Sequence, residues 1–358
     1  MGKLIEPILS EYNERRVSQH SSVDLSNICN APFNNMYFTT VGTVAPCWLL
    51  VGQVETWSKD RSIADIWFGE KFQQIRNDLK QNLFNGECSV CEKNICKKVW
   101  PLAMAYDQFS LKKYPTLMEL ELSNQCNLEC IMCEGRLSSG IRKNRDKLPP
   151  LPMIYDETFV EQLKEFIPHL EELRFNGGEP LAQNIVHDIC RIAYDLNPTL
   201  KINIATNGTV YNKNVQWLLE HCNVHFNISI DSLDKDNYES IRINGNFEHL
   251  MQNFEIFRDY CHAKNRILSI MVNPMKNNWW EMIDFVHFVE KHNVHLWYNT
   301  IHHPKHLSLW ALPKNELHIA RNRLTSDLDD IVNRGYSPAN IQKFTNFVKQ
   351  VSNWFERI

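Results

Sequence analysis

The sequence predicts an α/β fold: an open, partial (βα)6 parallel barrel preceded by a small N-terminal cysteine-rich module. Two observations carry this. From Leu117 onward, strand-like apolar runs alternate with helical stretches, a pattern that builds a parallel sheet with helices outside it. Ahead of it, residues 29–112 hold five cysteines, a hairpin pattern and a helical pattern of their own.

Residues 1–28 are polar and weakly patterned, an arm or a short leading helix. In the module, residues 37–38 and 42–44 read as two short strands around a turn. Residues 62–84 place Ile63, Ile66, Trp67, Phe72, Ile75 and Leu79 at helical spacing, predicting an amphipathic helix. The barrel occupies 113–312. Its strands are expected at 117–122, 172–175, 201–205, 225–230, 267–272 and 295–299. Its helices are expected near 156–167, 184–196, 213–221, 247–263 and 279–292, with Trp279 and Trp280 packing the last of these on the barrel. Six units are too few to close an eight-stranded barrel, and the reactive site belongs at the C-terminal ends of the strands. Residues 313–358 read as two packing helices.

At 358 residues, with 43% hydrophobic and 22% charged residues, the chain has the composition of a soluble globular protein. Its longest apolar run, Cys47 to Val51, is broken at Gly52 and Gln53 and is too short to cross a bilayer. Residues 1–6 lack a signal-peptide core, and Glu6 stands where a myristoylation site wants Ser or Thr, so a cytoplasmic location is expected. A net charge of −4 supplies no global field for nucleic acid. The basic stretch of Arg142, Lys143, Arg145 and Lys147 is either a solvated loop face or a contact for an anionic substrate.

Eleven cysteines in a reducing compartment argue for metal binding or catalysis rather than disulfides. Cys190, Cys222 and Cys261 stand alone in helical or strand-edge patterns and read as buried small hydrophobes. Cys126, Cys130 and Cys133 follow the first barrel strand directly. Three thiolates so spaced can hold three irons of a cubane cluster and leave the fourth open for a ligand. The competing reading is zinc, which commonly wants a closed set of four ligands.

The CxxxCxxC spacing of Cys126, Cys130 and Cys133 at the end of a first strand resembles the signature of the radical S-adenosylmethionine superfamily. The resemblance runs on through Gly177, Gly178, Glu179 and Pro180, which match the family's GGEP motif for the methionine amino group. Thr206, Asn207 and Gly208 follow the third strand as in the family. Ser229 and Asp231 match its ribose-contact segment, and Arg242 its methionine-carboxylate contact within the stretch from Tyr238 to Phe247. Met132 stands where the family often has an aromatic residue, so adenine there would meet a thioether. The resemblance implies a [4Fe-4S] cluster that binds S-adenosylmethionine. Each motif also makes local sense: paired glycines admit close backbone approach, a carboxylate accepts from hydroxyls, and a guanidinium grips a carboxylate.

The first cysteine group resembles the auxiliary-cluster modules called twitch and SPASM domains, which implies an auxiliary [4Fe-4S] cluster on Cys29, Cys47, Cys88 and Cys91, with Cys96 as a spare or competing ligand. Its position ahead of the radical core departs from the usual family order. A zinc ribbon on the same four cysteines is the alternative.

The activity so implied is reductive cleavage of S-adenosylmethionine to a 5′-deoxyadenosyl radical, with hydrogen abstraction from a small polar or peptide substrate. The auxiliary cluster would assist oxidation or bond formation, and a flavodoxin- or ferredoxin-like protein would donate the electron. No nucleic-acid or membrane partner is expected. Tyr298, His302 and His303, with Lys305 and His306, stand at the last strand's end as candidate catalytic or pocket residues. The alternative class is an iron–sulfur electron carrier or sensor that keeps the fold without radical chemistry.

Overall fold

The computed structural model describes residues 6–50, 54–99 and 102–357; the readings at residues 1–5 and at Val51, Gly52 and Gln53 lie outside them. Nine strands form one sheet: β1 (Asn35–Phe38), β2 (Thr43–Ala45), β3 (Glu55–Thr56), β4 (Leu117–Leu120), β5 (Glu172–Phe175), β6 (Lys201–Thr206), β7 (Asn223–Ser229), β8 (Leu268–Val272) and β9 (His295–Tyr298). Their order is β3-β2-β1-β4-β5-β6-β7-β8-β9. Strands β4 to β9 pair in parallel with their sequence neighbours and are the six predicted units; β3 and β9 end the sheet, which stays open.

Side-chain alternation splits the strands into two faces. Met118, Leu120, Phe175, Ile204, Phe226 and Ile228 are buried in the main apolar core beneath the helices. The opposite face is polar. Arg174 pairs with Glu172 at 2.7 Å and Glu119 at 3.4 Å, Lys201 with Glu172 at 2.9 Å, and Asn227 donates to Asn203 at 2.7 Å. Pairing of these groups within β5 and across neighbouring strands is what makes a charged face tolerable. Asp156, Asn212 and Asn246 cap the helices Glu157–Leu163, Lys213–His221 and Phe247–Lys264 through their side chains, turning the chain from strand-end loop into helix.

Three features of the N-terminal part go beyond the sequence reading. The hairpin extends the barrel sheet, because β1 lies parallel beside β4 with Asn35 opposite Leu117 and Phe38 opposite Leu120. The leading segment is a helix, Glu6–Gln19, tied down where buried Arg16 meets Asp107 at 2.8 Å. The single helix expected over 62–84 is two, Ile63–Trp67 and Glu70–Lys80. The chain breaks at Gly69, where an added Cβ would lie 2.4 Å from the Asp65 carbonyl oxygen. At the other end, Lys314–Asn333 and Pro338–Glu356 pack on each other and the latter on β9, as expected. Among the described residues no helix is long and apolar enough to cross a membrane.

Candidate active site

The cysteine loop leaves the C-terminal end of β4 and borders an open cavity of about 2370 Å³ over the strand ends. Cys126, Cys130, Met132 and Cys133 line it, facing Gly177, Gly178, Asn207, Ser229 and Arg242. The Leu128 amide donates to the Cys126 sulfur at 3.4 Å, and Arg242 Nη1 to the Cys130 sulfur at 3.8 Å. Burial pushes the Cys126 thiol up to about 12; burial and the neighbouring Cys130 push Cys133 up to about 11. Thiols so crowded ionise together only against a positive countercharge, which metal supplies. Among the described residues no three Cys, His, Asp or Glu side chains converge on a point as ligands of one ion do, whereas a cubane holds each thiolate on a separate iron.

Gly177 and Gly178 turn with φ of +70° and +54°, and a Cβ on Gly178 would lie 2.5 Å from the Gln125 carbonyl oxygen. Only glycine lets this turn press against the cysteine loop. The amide of Glu179 then donates to that same oxygen at 2.8 Å. The Glu179 side chain is fully buried rather than facing the cavity. It accepts from Thr206 Oγ1 and the Asn207 amide, each at 2.7 Å, and from the Leu181 amide at 3.1 Å. Burial raises its pKa, and those three donors pull against the rise. Asn207 continues the lattice, donating to Asn127 Oδ1 at 2.9 Å and so joining the β6 end to the cysteine loop.

Asp231 is fully buried, and both its carboxylate oxygens are occupied within the protein. One accepts from Arg242 Nε at 2.9 Å and faces Nη2 at 2.7 Å. The other accepts from the amide and side chain of Asn273 at 2.8 and 2.9 Å. Asp231, expected to meet a ribose, here anchors Arg242, leaving Nη1 turned toward Cys130. Ser229 alone of that sequence segment faces the cavity. Burial alone would lower the arginine's pKa, but the Asp231 carboxylate raises it overall. Asn273 lines the cavity and was missed; its position one residue beyond β8 was the available signal.

The candidate catalytic residues separate. Tyr298 points into the C-terminal helices, donating to the Met282 carbonyl at 2.8 Å and stacking on Phe347 at 4.9 Å; it is a packing residue, not a cavity one. His303 and His306 line the cavity. His302 is exposed and does not line it, and Lys305 sits over the Trp310 ring at 5.6 Å. Arg145, one of the four basic loop residues, also lines the cavity and donates to the Cys133 carbonyl.

The second cysteine group gathers at the other end of β4. Cys29, Cys47, Cys88 and Cys91 line a cavity of about 420 Å³, walled by apolar side chains that include Leu50, Leu79 and Phe84. Burial pushes the Cys47 and Cys88 thiols up to about 12, and the Leu49 and Leu50 amides bond the Cys47 sulfur against that rise. Cys96 is exposed and does not line this cavity. Cys47 follows β2, which runs antiparallel to β1, so this site lies at the N-terminal ends of the parallel strands and the three-cysteine loop at their C-terminal ends. Leu117, the first residue of β4, shares a small core with Cys29 and Cys47.

Comparison with known proteins agrees with this arrangement. Residues 120–289 match the Radical SAM superfamily and residues 29–92 the SPASM iron-sulfur cluster-binding domain. A GTP 3′,8-cyclase of Lactiplantibacillus plantarum is 24% identical over 181 residues, 49% of this chain and 51% of that enzyme. The molybdenum cofactor biosynthesis protein moc-5 of Caenorhabditis elegans is 27% identical over 183 residues, 50% of this chain and 28% of that protein. The chain thus spans about half the length of the first of these or less. Among solved structures, Streptococcus suis SuiB bound to precursor peptide SuiA overlays with a TM-score of 0.45 at 14% identity, covering 71% of this chain and 52% of that one. Residues 120–289 of this chain thus match a Radical SAM superfamily domain, with a SPASM iron–sulfur cluster-binding domain matched ahead of it at residues 29–92.

Proposed function

We propose that this enzyme cleaves S-adenosylmethionine reductively at the Cys126, Cys130 and Cys133 loop and abstracts a hydrogen atom from a small polar or peptide substrate. On this reading residues 1–28 are an N-terminal arm, 29–112 carry the auxiliary cluster, 113–312 the radical chemistry, and 313–358 are helices that brace the last strand. When bound, the cluster at the loop supplies the electron that splits the sulfonium into methionine and a 5′-deoxyadenosyl radical. The protein's part is positioning. Arg242, held by Asp231, offers Nη1 for the methionine carboxylate; the Gly177–Gly178 turn brings backbone groups to the amino group; Ser229 and Asn207 face the nucleoside; and Met132 meets its base. Glu179 acts through the Asn207 loop rather than on the ligand. His303 and His306, which line the cavity, are the candidates to move a proton.

The single observation that carries the reading is the open cavity beside three, not four, thiols. An electron carrier or sensor has no use for it. The auxiliary site differs, with four thiols around a small apolar cavity. A cluster held by Cys29, Cys47, Cys88 and Cys91 would have a thiolate for each iron and would supply a site to accept an electron. That supports oxidation or bond formation, the latter in keeping with the ring closure named for the cyclase relatives.

Anaerobic incubation of the reconstituted protein with dithionite should release 5′-deoxyadenosine, and Cys130→Ala should abolish the release. Activity surviving that substitution overturns the assignment. Cys88→Ala and Cys91→Ala should each lose about half the iron; zinc in that site, with iron unchanged, removes the auxiliary cluster from the account.

A further inference from the structure

Cys126 borders two spaces. One is the active-site cavity; the other is a groove on the outer side of the cysteine loop, of about 1380 Å³, formed with the segment that follows the helix Ser139–Asn144. Arg142 and Lys143 line this groove, and no aspartate or glutamate does. Leu148, Leu151 and Met153 line it too, with Leu148 48% and Met153 83% exposed. On a chain of net charge −4, two cations thus line the groove beside an exposed apolar patch, with the Glu129 carboxylate behind it taken up by Asn144 at 2.6 Å. It lies against one thiol of the site that must be reduced.

We propose that this groove docks an acidic one-electron donor protein, of the flavodoxin or ferredoxin class, and that Cys126 is where its electron enters. The proposal rests on the radical reading above and adds the surface that serves it. Charge complementarity selects the occupant: the Arg142 and Lys143 side chains steer an acidic face, and the apolar patch packs once it arrives. Cys126 borders both the groove and the active-site cavity, so a donor seated in the groove would lie against a thiol of the three-cysteine loop. The donor is oxidised by one electron. That electron breaks the sulfur–C5′ bond of S-adenosylmethionine, giving methionine and the 5′-deoxyadenosyl radical. The bulk of Arg142 also shapes the groove, because its Nε donates to the Pro149 carbonyl at 2.5 Å.

The test uses the full, cluster-loaded chain and two reductants, dithionite and a purified flavodoxin hydroquinone. Arg142→Glu/Lys143→Glu should cut flavodoxin-driven 5′-deoxyadenosine release about tenfold or more at low salt and leave dithionite-driven release unchanged. Lys143→Glu/Lys147→Glu, which spares the Arg142–Pro149 bond, should act in the same direction. Lys349→Glu, on the C-terminal helix, should not. Raising salt from ~50 mM to ~500 mM should slow the flavodoxin-driven rate of the native chain and narrow its gap from the variants. Equal flavodoxin-driven rates in native and variant chains overturn the proposal. So does a loss shared by the Lys349 variant, or one that appears as a weaker hold on a peptide substrate with electron delivery intact. Failure to release 5′-deoxyadenosine with dithionite as well would instead sink the radical reading itself.

Discussion

Removing one charge from the buried Asp231–Arg242 pair tests whether that pair builds the active site. In Asp231→Asn the guanidinium remains, 6% exposed, with no anion against it and an amide where two oxygens accepted. Breaking a buried pair from one side costs about 3–5 kcal/mol, because the charge left behind has lost both partner and water. At about 2.1 cal/mol/K per residue, 358 residues melting together carry roughly 0.75 kcal/mol/K, so the melting point should fall by about 4–7 °C. Calorimetry of the native chain, the single variant and Asp231→Asn/Arg242→Met measures it. The double variant should recover most of the loss, since two neutral side chains of similar volume need no pairing. S-adenosylmethionine binding, followed by isothermal titration, should be weakened in both. A single variant that melts within 1 °C of native, or that binds S-adenosylmethionine as tightly, refutes the view that Asp231 holds Arg242 in place.

Gly178→Ala must hold φ of +54° with its Cβ 2.5 Å from the Gln125 carbonyl oxygen, so it should lose about 1–3 kcal/mol and most S-adenosylmethionine binding; chemical denaturation and titration read both. Tyr298→Phe removes only the bond to the Met282 carbonyl, which predicts a loss of about 1 kcal/mol with dithionite-driven 5′-deoxyadenosine release unchanged. A large fall in that release would restore Tyr298 as a catalytic residue. Glu121, beyond the end of β4, accepts from Tyr37 at 2.5 Å and has its pKa raised by burial. A carboxyl raised in the folded state binds more protons there than unfolded, so its contribution is full at low pH and lost as pH rises through the raised value. The stability of Glu121→Gln minus that of the native chain should therefore increase from the ordinary carboxylate range toward neutral pH; a flat difference in urea titrations would contradict the shift.

Much of this molecule was legible from residues alone. Strands β4 to β9 and the helices behind them follow from apolar period, and period is a local property that each segment carries wherever it lies. The cysteine spacing and the paired glycines pointed to residues that line one cavity, because a cysteine loop and a tight turn are built from neighbours in sequence. Local pattern failed where a second element decided the outcome. Asp231 and Glu179 read as ligand contacts, since a carboxylate at a strand end looks the same whether it meets a ribose or an amide of the next strand. Tyr298 stood at the right end of β9, but the C-terminal helices took its ring. Only the tertiary structure decided that β1 joins the barrel beside β4, which sets the two cysteine sites at opposite ends of one strand. Only it showed that one borders a broad open cavity and the other a small apolar one. Strand pairing and enclosure depend on groups far apart in the chain, and no local spacing encodes them.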